Sequence, residues 1–241
     1  MKVVWLIMGR ELGCYFRSYM GYIIIAVVLL IDGLLFNAYA LGGGEKYSAE
    51  VLQHFFYFSS GTTMVAGILL TMRLLAEERQ MGTMVLYSTS PVKESHIVLG
   101  KFLSAFVFLC LLTCLKIYMP LLIFVNGKVS AGHILGGYTG LICLGAASLA
   151  IGIFGSSLAR SQIIAAIVST AILVSILLFW LLANVTAPPF SSVFGYLALH
   201  NKHFMPFMKG IINLRDLVYY FSLTCLFLML STKVIEAQRW R

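Results

Sequence analysis

Six long apolar stretches dominate this chain, at residues 20–41, 53–75, 102–125, 134–158, 163–184 and 217–232. A helix crosses the hydrocarbon core of a bilayer with roughly 20 apolar residues. The first five stretches meet that length. The sixth meets it if Lys233 extends its ammonium to the interface and Ile235 is counted. Inside lipid only helices and closed barrels satisfy their own backbone, and these runs are continuous rather than alternating, so they read as helices. Hydrophobic residues are 60% of the 241 and charged residues 11%, against about a quarter charged in soluble domains. That excludes a water-soluble fold. The expected fold class is all-α integral membrane with six transmembrane helices, and residues 1–241 read as a single membrane domain.

The net charge of +8 is topogenic rather than a nucleic-acid footprint. Counting ends alternately puts eleven basic residues on one side: Lys2, Arg10, Arg17, Arg73, Arg79, Lys93, Lys101, Arg160, Lys233, Arg239 and Arg241. Five lie on the other (Lys46, Lys128, Lys202, Lys209 and Arg215), with Lys116 inside a helix. The positive-inside bias places both termini in the cytoplasm of a multi-pass protein of the cell (inner) membrane. Ala38-Tyr39-Ala40 has the form of a signal-peptidase site, but 19 polar-led residues and an over-long apolar run precede it, so retention of the first helix is expected. Cys14, Cys110, Cys114, Cys143 and Cys225 imply no disulfide framework. The histidines lack ligand spacing: His54, His133, His200 and His203 fall near the outer interface and His96 in an inner loop. No catalytic, metal or cofactor site is expected.

Three segments outside the spans have a pattern of their own. The first 19 residues set Arg10, Gly13 and Arg17 on one helical face and Leu12, Tyr15, Phe16 and Tyr19 on another, which suits an interfacial helix. In the longest inner loop, Glu77 and Glu78 begin a helical turn. Met81, Met84, Val85 and Ser88 then share one face. This predicts a short cytoplasmic helix with an apolar face for a partner protein to cover, followed by Ser90-Pro91 as the start of the next helix. The outer segment 185–216 is apolar but broken by Pro188-Pro189 and Pro206, which predicts short re-entrant or interfacial helices at the outer mouth. Within the spans, Gly136 and Gly140 allow close helix approach. Asp32 and Lys116 lie about 18 Å and about 21 Å into spans one and three at the helical rise per residue. Similar depth brings an Asp32–Lys116 pair within reach. The alternative is a Lys116 that snorkels outward and an Asp32 that is protonated or bonded to a neighbouring helix.

Glu77-Glu78-Arg79, Gly82-Thr83, Thr89-Ser90-Pro91 and Ile97-Val98-Leu99-Gly100-Lys101 together resemble the coupling-helix region of type-2 ABC exporter permeases. Arg10-Glu11-Leu12 with Tyr15-Phe16 resembles that family's N-terminal elbow helix. Ser156-Ser157-Leu158 through Gln162 and Ala165-Ala166 resembles its turn between spans four and five. Lys209 to Tyr219 resembles the branch named after gliding-motility permeases; Tyr19 and Asn213 depart from the family by standing where proline and aspartate are common. The resemblance implies a transporter subunit that works as a pair, with a second identical or related permease chain. A separate cytoplasmic ATPase would dock on a coupling helix formed by Glu77, Glu78, Arg79, Gln80, Met81, Gly82, Thr83, Met84 and Val85. An accessory periplasmic or extracellular protein and membrane lipids are further implied partners; nucleic acid is not.

The chain carries no G-x-x-x-x-G-K-[ST] loop, so ATP and Mg are expected on the partner and the permease itself is not expected to be an enzyme. Two other functions compete. An intramembrane enzyme acting on lipids or peptides needs paired ionisable groups or a nucleophile and base at matching depth, and only Asp32 and Lys116 come near that. A structural anchor needs neither buried charges nor outer helices.

Overall fold

The structure is a computed structural model that describes residues 2–41, 47–83, 92–126, 129–187 and 190–239. Its helices in chain order are α1 (Lys2–Arg17), α2 (Tyr19–Leu35), α3 (Ser48–Thr71), α4 (Ala76–Gln80), α5 (Glu94–Leu115), α6 (Tyr118–Asn126), α7 (Ala131–Leu158), α8 (Gln162–Val185), α9 (Phe190–Leu197), α10 (Met205–Met208) and α11 (Leu214–Arg239). A π-helical turn, Phe36–Leu41, continues α2. No strand occurs among the described residues. Among the described residues, six helical units are long and apolar enough to cross a membrane: α2, α3 with α4, α5 with α6, α7, α8 and α11.

α7 is the centre of the bundle, enclosed by α3, α5, α8 and α11. Its glycines make that enclosure possible. A Cβ on Gly152 would stand 1.9 Å from Thr71 Oγ1, and one on Gly155 would stand 2.1 Å from Ser169 Oγ. Leu141, Leu144, Ala147, Leu149, Ala150 and Ile151 are wholly buried around them. By contrast, only 28% of the α2 span and 22% of the α8 span are buried, against 72% for α7. α1 packs on α5 through Ile7, which leaves no room for a side chain at Gly100. Ser18 then ends α1 and caps α2 by accepting from the Met20 amide at 3.2 Å.

Three spans differ from their expected bounds. The third is not continuous over 102–125 but breaks at Lys116-Ile117. Pro120 is the cause: it has no amide proton, and its ring would clash with the carbonyl of Lys116. The second leaves helical geometry over Met72–Leu75, where Ser156 Oγ of α7 accepts from the Leu75 and Ala76 amides and donates to the Met72 carbonyl. The sixth is longer than 217–232 at both ends, because Asn213 O accepts from the amides of Asp216 and Leu217 and polar residues carry the helix on to Arg239.

The expected inner helix is also interrupted. α4 covers Glu77, Glu78, Arg79 and Gln80, then Met81–Thr83 form a turn in which Gly82 has φ +72°, a C-terminal glycine that stops the helix. Met84 and Val85 lie outside the described residues, as do Ser88, Ser90-Pro91 and Pro188-Pro189.

Candidate functional site

At the α1 end of the bundle, four charged side chains from three helices meet. Lys101 of α5, 1% exposed, has its Nζ 3.0 Å from Glu11 Oε1 of α1 and 2.8 Å from Glu78 Oε1 of α4. Arg10 adds contacts of 2.6 Å to Glu11 and 3.3 Å to Glu78. Burial pushes the Glu11 carboxyl up, but the Lys101 ammonium and the Arg10 guanidinium outweigh it and hold the group below its ordinary range. One turn along α1, Tyr15 is fully buried. It donates to the Leu70 carbonyl at 2.7 Å, stacks on Phe108 at 5.0 Å between centroids and carries the Arg73 guanidinium over its ring, 4.9 Å from the centroid. Burial pushes the Tyr15 phenol well above its ordinary value.

Arg79 leaves α4 in another direction. It donates to the Ala159 carbonyl at the end of α7 at 3.2 Å and to Gln238 near the end of α11. Glu78 and Arg79 are therefore both engaged within the chain, while Gln80 and Met81 at the tip of α4 face outward, Met81 with 65% of its surface exposed. A cleft of about 570 Å³ opens between α1 and this tip, lined by Ile7, Glu11, Glu77, Met81 and Thr83 among others.

Deep in the bundle, Lys116 Nζ lies 2.7 Å from Asp32 Oδ2, and both side chains are nearly inaccessible at 0% and 2%. The break at Lys116-Ile117 puts the lysine at the C-terminal cap of α5, where a cation also complements the helix carbonyls. α3 completes the site. Thr62 Oγ1 donates to Asp32 Oδ1 at 2.6 Å, Ser59 Oγ to Oδ2 at 3.4 Å, and Lys116 reaches the hydroxyls of Thr62 and Thr63 at 3.3 Å each. Buried charges persist when both are paired and hydrogen-bonded, and this pair is both. Three helices are tied at mid-span.

Thr62 also reaches a second environment. A cleft of about 720 Å³ opens between α2, α3 and α8, walled by Val28, Ile31, Met64, Leu177, Trp180 and Leu181. Its polar lining is confined to Tyr57, Ser60, Thr62, His200 and Asn201. The end nearest α9 and α10 is held by buried histidines. His200 Nε2 lies 2.8 Å from Ser60 Oγ of α3, and burial pushes that imidazole down. Tyr219 and Tyr220 of α11 donate to the carbonyls of Leu197 and Leu199 at 2.8 Å.

The family described as "ABC-2 family transporter protein" matches residues 37–238, most of the chain and five of its six spans. The chain belongs to that family. This ABC-2 protein is therefore a membrane permease subunit of an ABC transporter and a multi-pass membrane protein. No curated protein matches it. The match takes in α4, Lys101 and Lys116 but stops short of α1 and Asp32.

The geometry brings Glu78 to Glu11 and Lys101, and Asp32 to Lys116; it does not bring the α4 residues and the intramembrane pair together. Several residues of the ABC-2 site carried too little signal to be singled out from sequence. Ser59, Thr62 and Thr63 show helical spacing of hydroxyls inside an apolar run, a pattern equally satisfied by bonds to their own backbone. Lys101 reads as a topogenic charge, and only the fold reveals that it is enclosed.

Proposed function

We propose that this ABC-2 subunit is an exporter permease of the gliding-motility-associated branch, acting as a dimer in the cell inner membrane with both termini in the cytoplasm and residues 1–241 as one domain. A separate ATPase binds ATP and Mg and docks on residues 77–85. The reading rests on one observation above others: Gln80 and Met81 face outward at the tip of α4, while Glu78 and Arg79 behind them are bonded to α1, α5, α7 and α11. A push on the tip then reaches four helices through direct polar contacts. The open apolar cleft between α2, α3 and α8 serves as one half of the pathway, completed by the second subunit, and suits an amphipathic cargo drawn from the bilayer. α1 lies along the cytoplasmic interface, and α9 and α10 cap the outer mouth.

Met81→Asp with Val85→Asp tests the docking. Burying an apolar side chain of this size gives roughly 1.5–3 kcal/mol, and a carboxylate in its place opposes contact. Expected are loss of the ATPase from the purified membrane complex and loss of transport. Unchanged ATPase retention together with unchanged transport refutes the assignment.

A further inference from the structure

His203 is wholly buried in the turn between α9 and α10, and both of its ring nitrogens face hydrogen-bond acceptors. Nδ1 lies 2.7 Å from Asp216 Oδ1 in the first turn of α11, and Nε2 lies 2.9 Å from the Tyr196 carbonyl oxygen in the last turn of α9. A carbonyl only accepts, so Nε2 must carry a proton. The second contact then needs a proton of its own between Nδ1 and Oδ1. Drawn on the imidazolium or on the carboxylic acid, that proton belongs to the pair. A neutral imidazole beside an ionised carboxylate has one proton too few for two bonds.

The surroundings keep the pair in place. Asp216 Oδ2 accepts from Asn213 Nδ2 at 3.2 Å. The His203 ring stacks on Tyr219 at 3.8 Å between centroids and meets Tyr196 and Tyr220 edge-on. The cations Arg215 and Lys202 stand 4.4 Å and 5.0 Å from the Tyr196 ring centroid. Of the neighbouring histidines, His200 turns to Ser60 and Tyr57 of α3, and His133 of α7 turns to the Met208 carbonyl. The other ties between this segment and α11 described above are phenol hydroxyls, which keep their protons across the neutral range.

We propose that His203 and Asp216 form a proton-held latch fastening residues 196–208 to α11. With the shared proton present, both bonds are made and the segment is closed. As pH rises and the proton leaves, one acceptor loses its donor, a net negative charge is stranded in a buried site, and the segment loosens. Because His200 and Asn201 line the α2–α3–α8 cleft, loosening opens that end of the cleft. The latch makes opening sensitive to pH on the side where α9 and α10 lie.

The test uses purified full-length protein in detergent with its five cysteines replaced. Leu199→Cys, at a fully buried position, reports opening by its rate of thiol labelling between pH 5.5 and 9. Leu214→Cys, at a position 76% exposed, corrects for thiolate formation. The corrected rate is expected to rise at least about tenfold with pH, the ratio set by one lost charge-assisted hydrogen bond. Asp216→Asn supplies an amide donor to Nδ1, so it needs no extra proton and should stay slow at every pH. His203→Gln should be fast at every pH. A flat parent profile, or an Asp216→Asn variant that opens with pH as the parent does, overturns the latch. Neither ATPase nor cargo enters the assay, so its outcome is separate from that of the transport reading.

Discussion

Removing one member of the Asp32–Lys116 pair should destabilise the protein far more than removing both. At the observed 2.7 Å and an effective dielectric near 20, the attraction is about 6 kcal/mol before desolvation. Burial of the two ions costs several kcal/mol each, so the pair as a whole contributes little net stability. A lone survivor is another matter: it retains its burial and loses its partner, a change of about 3–5 kcal/mol. Asp32→Asn keeps shape and still accepts from Thr62, but leaves the Lys116 ammonium uncompensated. Lys116→Met leaves the carboxylate. In Asp32→Leu with Lys116→Met neither charge remains, Thr63 still donates to the Ser59 carbonyl at 2.6 Å, and the Thr62 hydroxyl, released from Asp32, turns its proton to the same carbonyl at 3.0 Å. The double variant should lie within about 1 kcal/mol of the parent, or above it. The measurement is unfolding of purified protein in mixed micelles titrated with a denaturing detergent, followed by tryptophan fluorescence. If the single losses simply add in the double variant, or if Asp32→Asn is within about 1 kcal/mol of the parent, the pair is not a buried ion pair.

Ser156→Ala strands the Leu75 and Ala76 amides at the α3 break and is expected to destabilise by about 1–3 kcal/mol per buried donor in the same unfolding assay. Gly136→Ala would set a Cβ 2.8 Å from Gly210 Cα, a backbone atom that no rotamer change can move aside. A loss of about 1–3 kcal/mol is expected, against no measurable change for Gly61→Ala, where nothing lies within 4 Å. Docking of α1 should depend on pH through Glu11. Its folded value is depressed, so its stabilisation is complete above the ordinary carboxylate range and is lost as pH falls through the folded value. Trp5 fluorescence, in a variant with Trp180 and Trp240 replaced by Phe, should report that transition, and Lys101→Met should move it to higher pH.

The spans were legible because a bilayer reads composition, and runs of about 20 apolar residues have few other uses. The small residues of the fourth span likewise announced close packing. The helix breaks also have local signals: Pro120 marks the interruption at Lys116-Ile117, and Gly82 marks the end of α4. Depth alone placed Asp32 and Lys116 at one level, yet could not choose between pairing and snorkelling. That choice depends on a proline four residues beyond the lysine and on hydroxyls from another helix. Lys101 reads in the sequence as a topogenic charge and Glu11 only as part of the elbow-like segment, because nothing local records that a third helix closes over them. His203 reads in the sequence only as a residue near the outer interface, for the same reason: both of its acceptors come from other elements.

The enclosure of α7 has a consequence for how the chain is made. It is fourth of six spans in order of synthesis, yet it is the most enclosed, with a mean hydropathy of 2.0. Gly137, Gly145 and Gly152 meet α3 and α5, which are already made, but until α8 emerges Gly155 has no helix against it. Its hydroxyls tolerate the wait, because Ser148 and Ser157 already donate to carbonyls of their own helix. The turn at Ala159–Ser161 is short enough to deliver α8 at once against Gly155. α11 arrives last and separated by the longest connection, 186–213. A nascent chain therefore waits with one flank of its central helix open until its final span is released, and the last helix made completes the enclosure of the most buried one.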